Sequence, residues 1–359
     1  MTQLEIHREA LTHNVTTLTS KLAPGVRFIA VVKANAYGHG AVACVQHLQS
    51  LGVKYFAVAY TDEGIALRQA GVQDPIMVFY PEPYRFADIV THQLSPAIYS
   101  KQTWDNVLEH IAPQTPPFPI HLKFNTGLNR IGFSPSELEW IFSESQHKNV
   151  RVVSVYSHLG GTEEAQPDAQ VAQQLTVFEP ILQRFKQHPH RPWFHLLNTS
   201  GVFYYPNHQL DAVRCGIGLY GYANAPAWDA QLQPVGHLTT SIVQIHHLQP
   251  GEYVGYNKGW QATTESRIAT LPLGHADGIQ RGFGHAKLRV WVQGQPAAVV
   301  GNICMDMLMI DVTHVACSPG DSVVLFNASH PLSEWAAAAG TIPYEVLAGL
   351  GPRVSRVWR

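Results

Sequence analysis

The chain has 359 residues, with 24 basic against 26 acidic side chains, and only 14% of its residues are charged while 45% are hydrophobic. That length predicts about two domains, and the apolar fraction is ample for packed cores, which excludes disorder as the main state. So little net charge is ill suited to gripping a phosphate backbone or an anionic bilayer, so neither nucleic acid nor a membrane is expected as a partner.

The amino-terminal MTQLEIHREALTHN is polar from its second residue and lacks the apolar stretch of a secretory signal. No run of about 18 apolar residues occurs. Cys44, Cys215, Cys304 and Cys317 lie far apart without C-x-x-C spacing, and no histidine pair has metal-binding H-x-x-x-H spacing. A cytoplasmic protein without a metal site is the expectation.

From the first residue to about 225, β-branched runs alternate with amphipathic stretches. Strands are expected to end near residues 33, 59, 80, 98, 124, 158, 198 and 214, as in VRFIAVVK (Val26–Lys33) and VRVVSVYS (Val150–Ser157). Helices are expected over Ala41–Ser50, Thr61–Ala70, Pro135–Ser145 and Asp168–Phe185. Parallel strands need crossovers, so eight such units in this length predict a closed (β/α)8 barrel of the TIM type. No G-x-G-x-x-G follows the first of these strands, which weakens a dinucleotide-binding sheet. Beyond about residue 230 the pattern turns to short strands: Thr239–His246, Arg267–Leu273, Lys287–Trp291, Ala297–Val300, Met307–Val312 and Ser322–Phe326. Helices over Leu332–Ala339 and Tyr344–Leu350 close the chain. The expected organisation is a barrel over 1–230 and a mostly β-strand domain over 231–359.

Barrel active sites form at the carboxyl ends of the strands. The first barrel strand ends in Lys33, and a lysine closing an apolar strand is costly to bury charged, which prepares its amine as a Schiff-base nucleophile. An ordinary lysine extending to solvent is the alternative for that residue alone.

The run AVVKANAYGHG around Lys33 resembles the cofactor-lysine motif of the alanine racemases, fold-type III enzymes that use pyridoxal 5′-phosphate (PLP). The resemblance continues through KFNTGLNRIGF (Lys123–Phe133), YSH (Tyr156–His158), HLLNTS (His195–Ser200), RCGIGLYG (Arg214–Gly221), VGY (Val254–Tyr256), GHADG (Gly274–Gly278), GNICMD (Gly301–Asp306) and PYE (Pro343–Glu345). These blocks stand in the family's order over nearly the full chain.

By this resemblance Lys33 carries PLP as an internal aldimine and acts as base or acid on one face of the substrate Cα. Tyr256 is the second base, entering from the other subunit of a homodimer. A phenol gives up its proton near neutral pH only with cationic or hydrogen-bonded support, so His158 and Arg214 are the expected network. Arg214 would also bond the pyridine nitrogen; arginine keeps its proton, which makes PLP a weaker electron sink and disfavours transamination and decarboxylation.

Tyr37, Asn198, Thr199, Gly216, Ile217 and Tyr344 are the remaining cofactor positions, and Arg130 with the Met305 N–H the substrate-carboxylate positions. Lys123 matches a lysine often carbamylated in the family. The implied activity is interconversion of L- and D-alanine through an external aldimine, for peptidoglycan or for alanine catabolism. A broader racemase acting on serine is the alternative, and a non-catalytic PLP-binding barrel a weaker one. Departures from the family pattern are Asn125 for an acidic residue, Leu128 for methionine, Asn257 for glycine and His275 for an aromatic, the last read as a neutral hydrogen-bonding substitute.

Overall fold

The first strand of the chain, β1 (Gln3–Ile6), is followed by β2 (Arg27–Val31), β3 (Tyr55–Val58), β4 (Ile76–Val78), β5 (Ser95–Ile98), β6 (Phe118–Lys123), β7 (Val150–Tyr156), β8 (Trp193–His195) and β9 (Ala212–Cys215). The computed structural model describes residues 2–112, 116–163 and 168–359. β2 to β9 make one all-parallel sheet in the order β8-β7-β6-β5-β4-β3-β2-β9. The seam between β8 and β9 is bridged by the Asp211 N–H to Phe194 O (3.0 Å) and by the Arg214 N–H to Leu197 O (2.9 Å), so the barrel is nearly closed. β4, β5 and β9 are buried along their whole lengths. Parallel strands covered on both faces read as continuous apolar runs for this reason.

Helix Ala41–Ser50 lies where the periodicity predicts it, and Thr61–Gln69, Leu138–Glu144 and Ala169–Lys186 fall within two or three residues of the expectation. Helices Arg8–Ser20, Phe86–Thr91, Lys101–His110 and Thr199–Tyr204 were not expected. Arg8–Ser20 is hidden by its threonines, poor helix formers whose hydroxyls return to the backbone: Thr16 Oγ1 donates to Thr12 O (2.9 Å) and Thr19 Oγ1 to Val15 O (2.7 Å). Its buried stripe of Leu11, Val15 and Leu18 nevertheless keeps helical spacing.

The chain divides into two units, one of Thr12–Ala36 with Ala41–Leu232 and the other of Met1–Leu11, Tyr37–Gly40 and Gln233–Arg359. The first residues, which the alternation in sequence assigns to the barrel, therefore group with the carboxyl-terminal unit. There β1 pairs antiparallel with Gly236–Ser241 and parallel with Ser355–Trp358 in a nine-stranded mixed sheet. The single strand expected over Thr239–His246 is two, Gly236–Ser241 and Gln244–Leu248. The break falls where the chain changes neighbours: Ile242 N–H donates to Asp321 O (3.0 Å) and Val243 N–H to Thr270 O (3.0 Å). Val254, Ile268 and Val300 form a buried cluster in this unit, covered by Leu248, Trp260 and Met309. Among the described residues no helix is long and apolar enough to cross a membrane.

Candidate active site

Lys33 stands two residues beyond the end of β2, and the next four residues are all left-handed: Ala34, Asn35, Ala36 and Tyr37 have φ between +50° and +54°. Without glycine this conformation costs roughly 1–2 kcal/mol per residue, a strain that persists only where surrounding contacts hold it. Glu63 supplies such contacts. Its carboxylate accepts from the Ala34 N–H (2.5 Å), the Ala59 N–H (2.7 Å) and the Tyr60 N–H (3.2 Å), tying the end of β2 to the end of β3. Burial lowers the Lys33 pKa and Arg130 lowers it further, while Glu63 opposes both. The result is an amine more readily neutral than an ordinary lysine.

Across the mouth of the barrel stand the ends of β6, β7 and β9. Lys123 is buried and its pKa is pushed down to about 7, first by desolvation and then by the cations Arg214 and Arg130. Its Nζ lies 5.1 Å from the ring centroid of Tyr156, over which Arg214 Cζ also sits at 5.2 Å. Arg130 is exposed and meets no acid among the described residues. Lys33, Lys123, Arg130 and Arg214 thus gather opposite one carboxylate, Glu63, an excess that favours anionic ligands.

Arg214 is buried and heavily bonded. Nη1 donates to His195 Nδ1 (2.5 Å) and His195 O (3.3 Å). Nη2 donates to Ser157 O (2.9 Å), Leu196 O (3.0 Å) and His158 Nδ1 (3.1 Å). A guanidinium only donates, so both rings accept through Nδ1 and, when neutral, carry their proton on Nε2. Both pKa values are held far below the ordinary histidine range, by burial first and then by Arg214. His158 is therefore a neutral hydrogen-bonding member of the network, and the cation beside it is Arg214. The Tyr156 ring stacks on His195 at 4.8 Å, and its buried hydroxyl has no hydrogen-bond partner among the described residues.

After β8, Asn198 caps helix Thr199–Tyr204: its Oδ1 accepts from the Gly201 N–H (2.9 Å) and the Thr162 hydroxyl (3.1 Å). That commits the Asn198 carbonyl to holding the turn. Thr199 Oγ1 accepts from the Gly216 and Gly218 N–H groups, each at 3.2 Å. Gly218 must be glycine, because a Cβ there would lie 2.5 Å from Thr199 Cγ2. The Ile217 N–H has no hydrogen bond among the described residues. The chemistry of these donors suits PLP: among the described residues Arg214 Nε has no partner and could donate to an unprotonated pyridine nitrogen, and the Ile217 N–H could donate to a phosphate.

The carboxyl-terminal unit holds the other expected residues. Tyr256 is 69% exposed and Met305 59% exposed, and both line a groove of about 810 Å³ with Tyr253, Met307 and Met309. Gly255 turns the chain into Tyr256 at φ +74°. Asn257, where glycine is common in the family, has φ +55°, a left-handed position that asparagine tolerates, so the substitution leaves the turn intact. Met305 is held by a close loop-to-loop approach. His275 N–H donates to Cys304 O and Ala276 N–H to Met305 O, both at 3.0 Å. Arg353 clamps Asp277 (2.8 Å) to Asp306 (2.7 Å). The His275 ring is exposed and makes no hydrogen bond among the described residues. Tyr37 and Tyr344 pack ring to ring at 5.9 Å in this unit.

Asn125, at a position expected to be acidic, forms a turn of its own. Its Oδ1 accepts from the Gly127 (3.2 Å) and Asn129 (2.9 Å) N–H groups. Sequence reasoning missed roles for Glu63, Ser154, Tyr156 and His195. Glu63 and Ser154 stand in the sequence as ordinary polar residues, and Tyr156 and His195 as members of family blocks with no role of their own; only the folded barrel brings Ser154 and Tyr156 against His195 and sets Glu63, from the start of a helix, beside Lys33.

Known proteins resemble the chain over nearly its full length. The family model described as "Alanine racemase, N-terminal domain" matches residues 6–224, and that described as "Alanine racemase, C-terminal domain" matches residues 235–358. The chain is 34% identical to the alanine racemase of Desulfovibrio desulfuricans, over 99% of this chain and 97% of that protein. The solved alanine racemase of Streptomyces coelicolor A3(2) superposes with a TM-score of 0.93 at 30% identity, over 99% of this chain and 97% of that one. The alanine racemase of Clostridium difficile 630 gives a TM-score of 0.93 at 29% identity, over 100% and 95% of the two chains. With the two family models together matching residues 6–224 and 235–358, and the lysine and arginine of the motif standing at the mouth of one barrel, this chain belongs to the alanine racemase family.

Proposed function

We propose that this protein is a PLP-dependent racemase of the cytoplasm that interconverts L- and D-alanine, with Lys33 and Tyr256 as its two bases. The observation that carries this reading is Arg214. Both terminal nitrogens of its guanidinium are committed to the protein, and Nε is left for an acceptor that must not be protonated. When bound, PLP withdraws electrons from the substrate Cα and makes its proton removable. Arg214 keeps that withdrawal moderate, since it cannot surrender a proton to the ring nitrogen.

Lys33 would hold the cofactor covalently, and its depressed pKa favours the neutral amine needed both to attach it and to take a proton from Cα. Thr199, Gly216, Ile217, Tyr37 and Tyr344 would hold the phosphate. Asn198 contributes through the turn that it caps rather than by direct contact. Arg130 and the Met305 N–H would receive the substrate carboxylate. Lys123 is suited to carbamylation: burial and the neighbouring cations make its amine far more readily neutral than an ordinary lysine, and the carbamate formed with CO2 would be an anion beside Arg130 and Arg214. Tyr256 acts on the opposite face of Cα from a second copy of the chain, so the active unit is a homodimer. The exposed Tyr253, Tyr256, Met305 and Met307 support this, since apolar side chains at such exposure suit burial against a partner. The D-alanine formed would serve peptidoglycan synthesis, or the reverse reaction alanine catabolism.

The test is a panel of single-enantiomer amino acids given to purified protein loaded with PLP. Alanine racemised fastest supports the reading, equal turnover of serine supports the broader racemase, and no racemisation overturns both. Borohydride reduction followed by peptide mapping should place the pyridoxyl label on Lys33; a label elsewhere removes Lys33 from its role.

A further inference from the structure

Arg214 is held by a hydrogen-bonded chain that runs away from the site through the centre of the barrel. His195 Nε2 lies 2.8 Å from Ser154 Oγ, and Ser154 Oγ lies 2.7 Å from His121 Nδ1. His195 and Ser154 are fully buried and His121 nearly so. His121 and Ser154 are register partners on β6 and β7. At its far end His121 lines a cavity of about 720 Å³ at the amino-terminal ends of the strands, with Phe118, Arg151 and Trp193.

The direction of every donor in this chain is determined by its first member. Arg214 Nη1 can only donate, so His195 Nδ1 must accept. Burial keeps the His195 ring neutral, so its one proton is on Nε2 and is donated to Ser154 Oγ. The serine hydroxyl, already accepting, gives its own proton to His121 Nδ1. His121 is in turn neutral, its pKa pushed down to about 3 by burial and then by Arg151, so its proton is on Nε2. The reverse direction would place a proton on His195 Nδ1 against an N–H of Arg214, two donors 2.5 Å apart.

We propose that Ser154 and His121 are positioning residues for Arg214, acting through His195 in a one-way chain of donors that holds the guanidinium with Nε free. Ser154 is the indispensable link, because a hydroxyl accepts on one side while it donates on the other. Without it the His195 Nε2–H is a buried donor with no acceptor, and the ring loses the contact that opposes a change of tautomer or a tilt away from Arg214. The inference deepens the proposed function, since the consequence it draws for the cofactor rests on Arg214 facing the pyridine nitrogen.

The experiment uses the PLP-loaded protein labelled with 15N-histidine, together with Ser154→Ala, Ser154→Thr, His121→Leu and His121→Asn. In the unsubstituted protein His195 and His121 should both show the Nε2–H tautomer. Ser154→Ala and His121→Leu should shift the His195 nitrogen resonances, change the cofactor absorption band, and raise the ratio of half-transamination to racemisation by about tenfold. Ser154→Thr and His121→Asn keep an acceptor or hydroxyl in place and should restore the unsubstituted values. A His195 proton on Nδ1 overturns the proposal outright. So does an unchanged ratio and absorption band in both disrupting variants; if Ser154→Ala does not fold, His121→Leu decides alone. The tautomers are read without turnover. A correct tautomer pattern in a protein that racemises nothing therefore refutes the proposed function and leaves the chain of donors standing.

Discussion

Lys123 shows how far surroundings can move a single side chain. Its motif is legible in the sequence, but its lowered pKa comes from burial beside Arg214 and Arg130, which lie on other strands and loops. A lysine whose folded pKa falls to about 7 from an unfolded value of about 10.4 destabilises the fold while it must be charged. Between those two values the unfolded chain binds a proton that the folded chain does not, so stability should rise with pH through that window. In CO2-free buffer, urea unfolding at pH 7, 8.5 and 10 should show this rise, on the order of 2–4 kcal/mol. The rise should be missing from Lys123→Met. Bicarbonate should also flatten it in the unsubstituted protein, since a carbamate does not take up that proton. Equal slopes in the two proteins would remove Lys123 as the titrating group. Glu63 illustrates the opposite case: nothing in the sequence distinguishes it from any helix-start glutamate, yet it bonds three backbone N–H groups beside Lys33.

At the level of elements, the turn carrying Tyr256 is the most specific prediction. Gly255, Asn257 and Lys258 all have positive φ, and a Cβ at Gly259 would lie 2.8 Å from Asn302 Nδ2. Asn302 itself bonds Tyr256 O through Nδ2 at 2.8 Å. Asn257→Gly should therefore be neutral or slightly stabilising, whereas Asn257→Val should cost about 1–2 kcal/mol and lower kcat more than KM. Thermal unfolding and steady-state kinetics on the two variants check this, and equal effects of glycine and valine would contradict it. The strands of the barrel were readable because each is a short apolar run between turn residues. Arg8–Ser20 and Phe86–Thr91 were not, because a threonine-rich or a six-residue helix carries a periodicity too weak to stand out before packing selects it; Lys101–His110 does carry an amphipathic spacing, with Thr103, Trp104 and Val107 buried, and was legible but unread.

For the whole molecule, the proposed composite site makes a prediction no single subunit can satisfy. Lys33→Ala and Tyr256→Phe chains should each be almost inactive. Mixed and allowed to exchange, they should recover about a quarter of the activity, because random pairing makes half the dimers hybrid with one intact site in each. Recovery absent after exchange is demonstrated by mass would mean that Lys33 and Tyr256 act within one chain.

The near-balance of charge with which the sequence opens conceals a local excess: Lys33, Lys123, Arg130 and Arg214 share one region, and among the described residues the acid facing them there is Glu63. What the sequence determined by itself was the run of eight barrel strands, the turn to a strand-rich second half and the blocks that mark the family, since apolar periodicity and contiguous motifs are local properties of a chain. Only the tertiary structure decided that β1 joins the carboxyl-terminal sheet, that His158 is neutral, and that Arg214 is held through His195, Ser154 and His121. Those outcomes depend on distances between residues far apart in the chain and on the exclusion of water around them, and neither is written in local order.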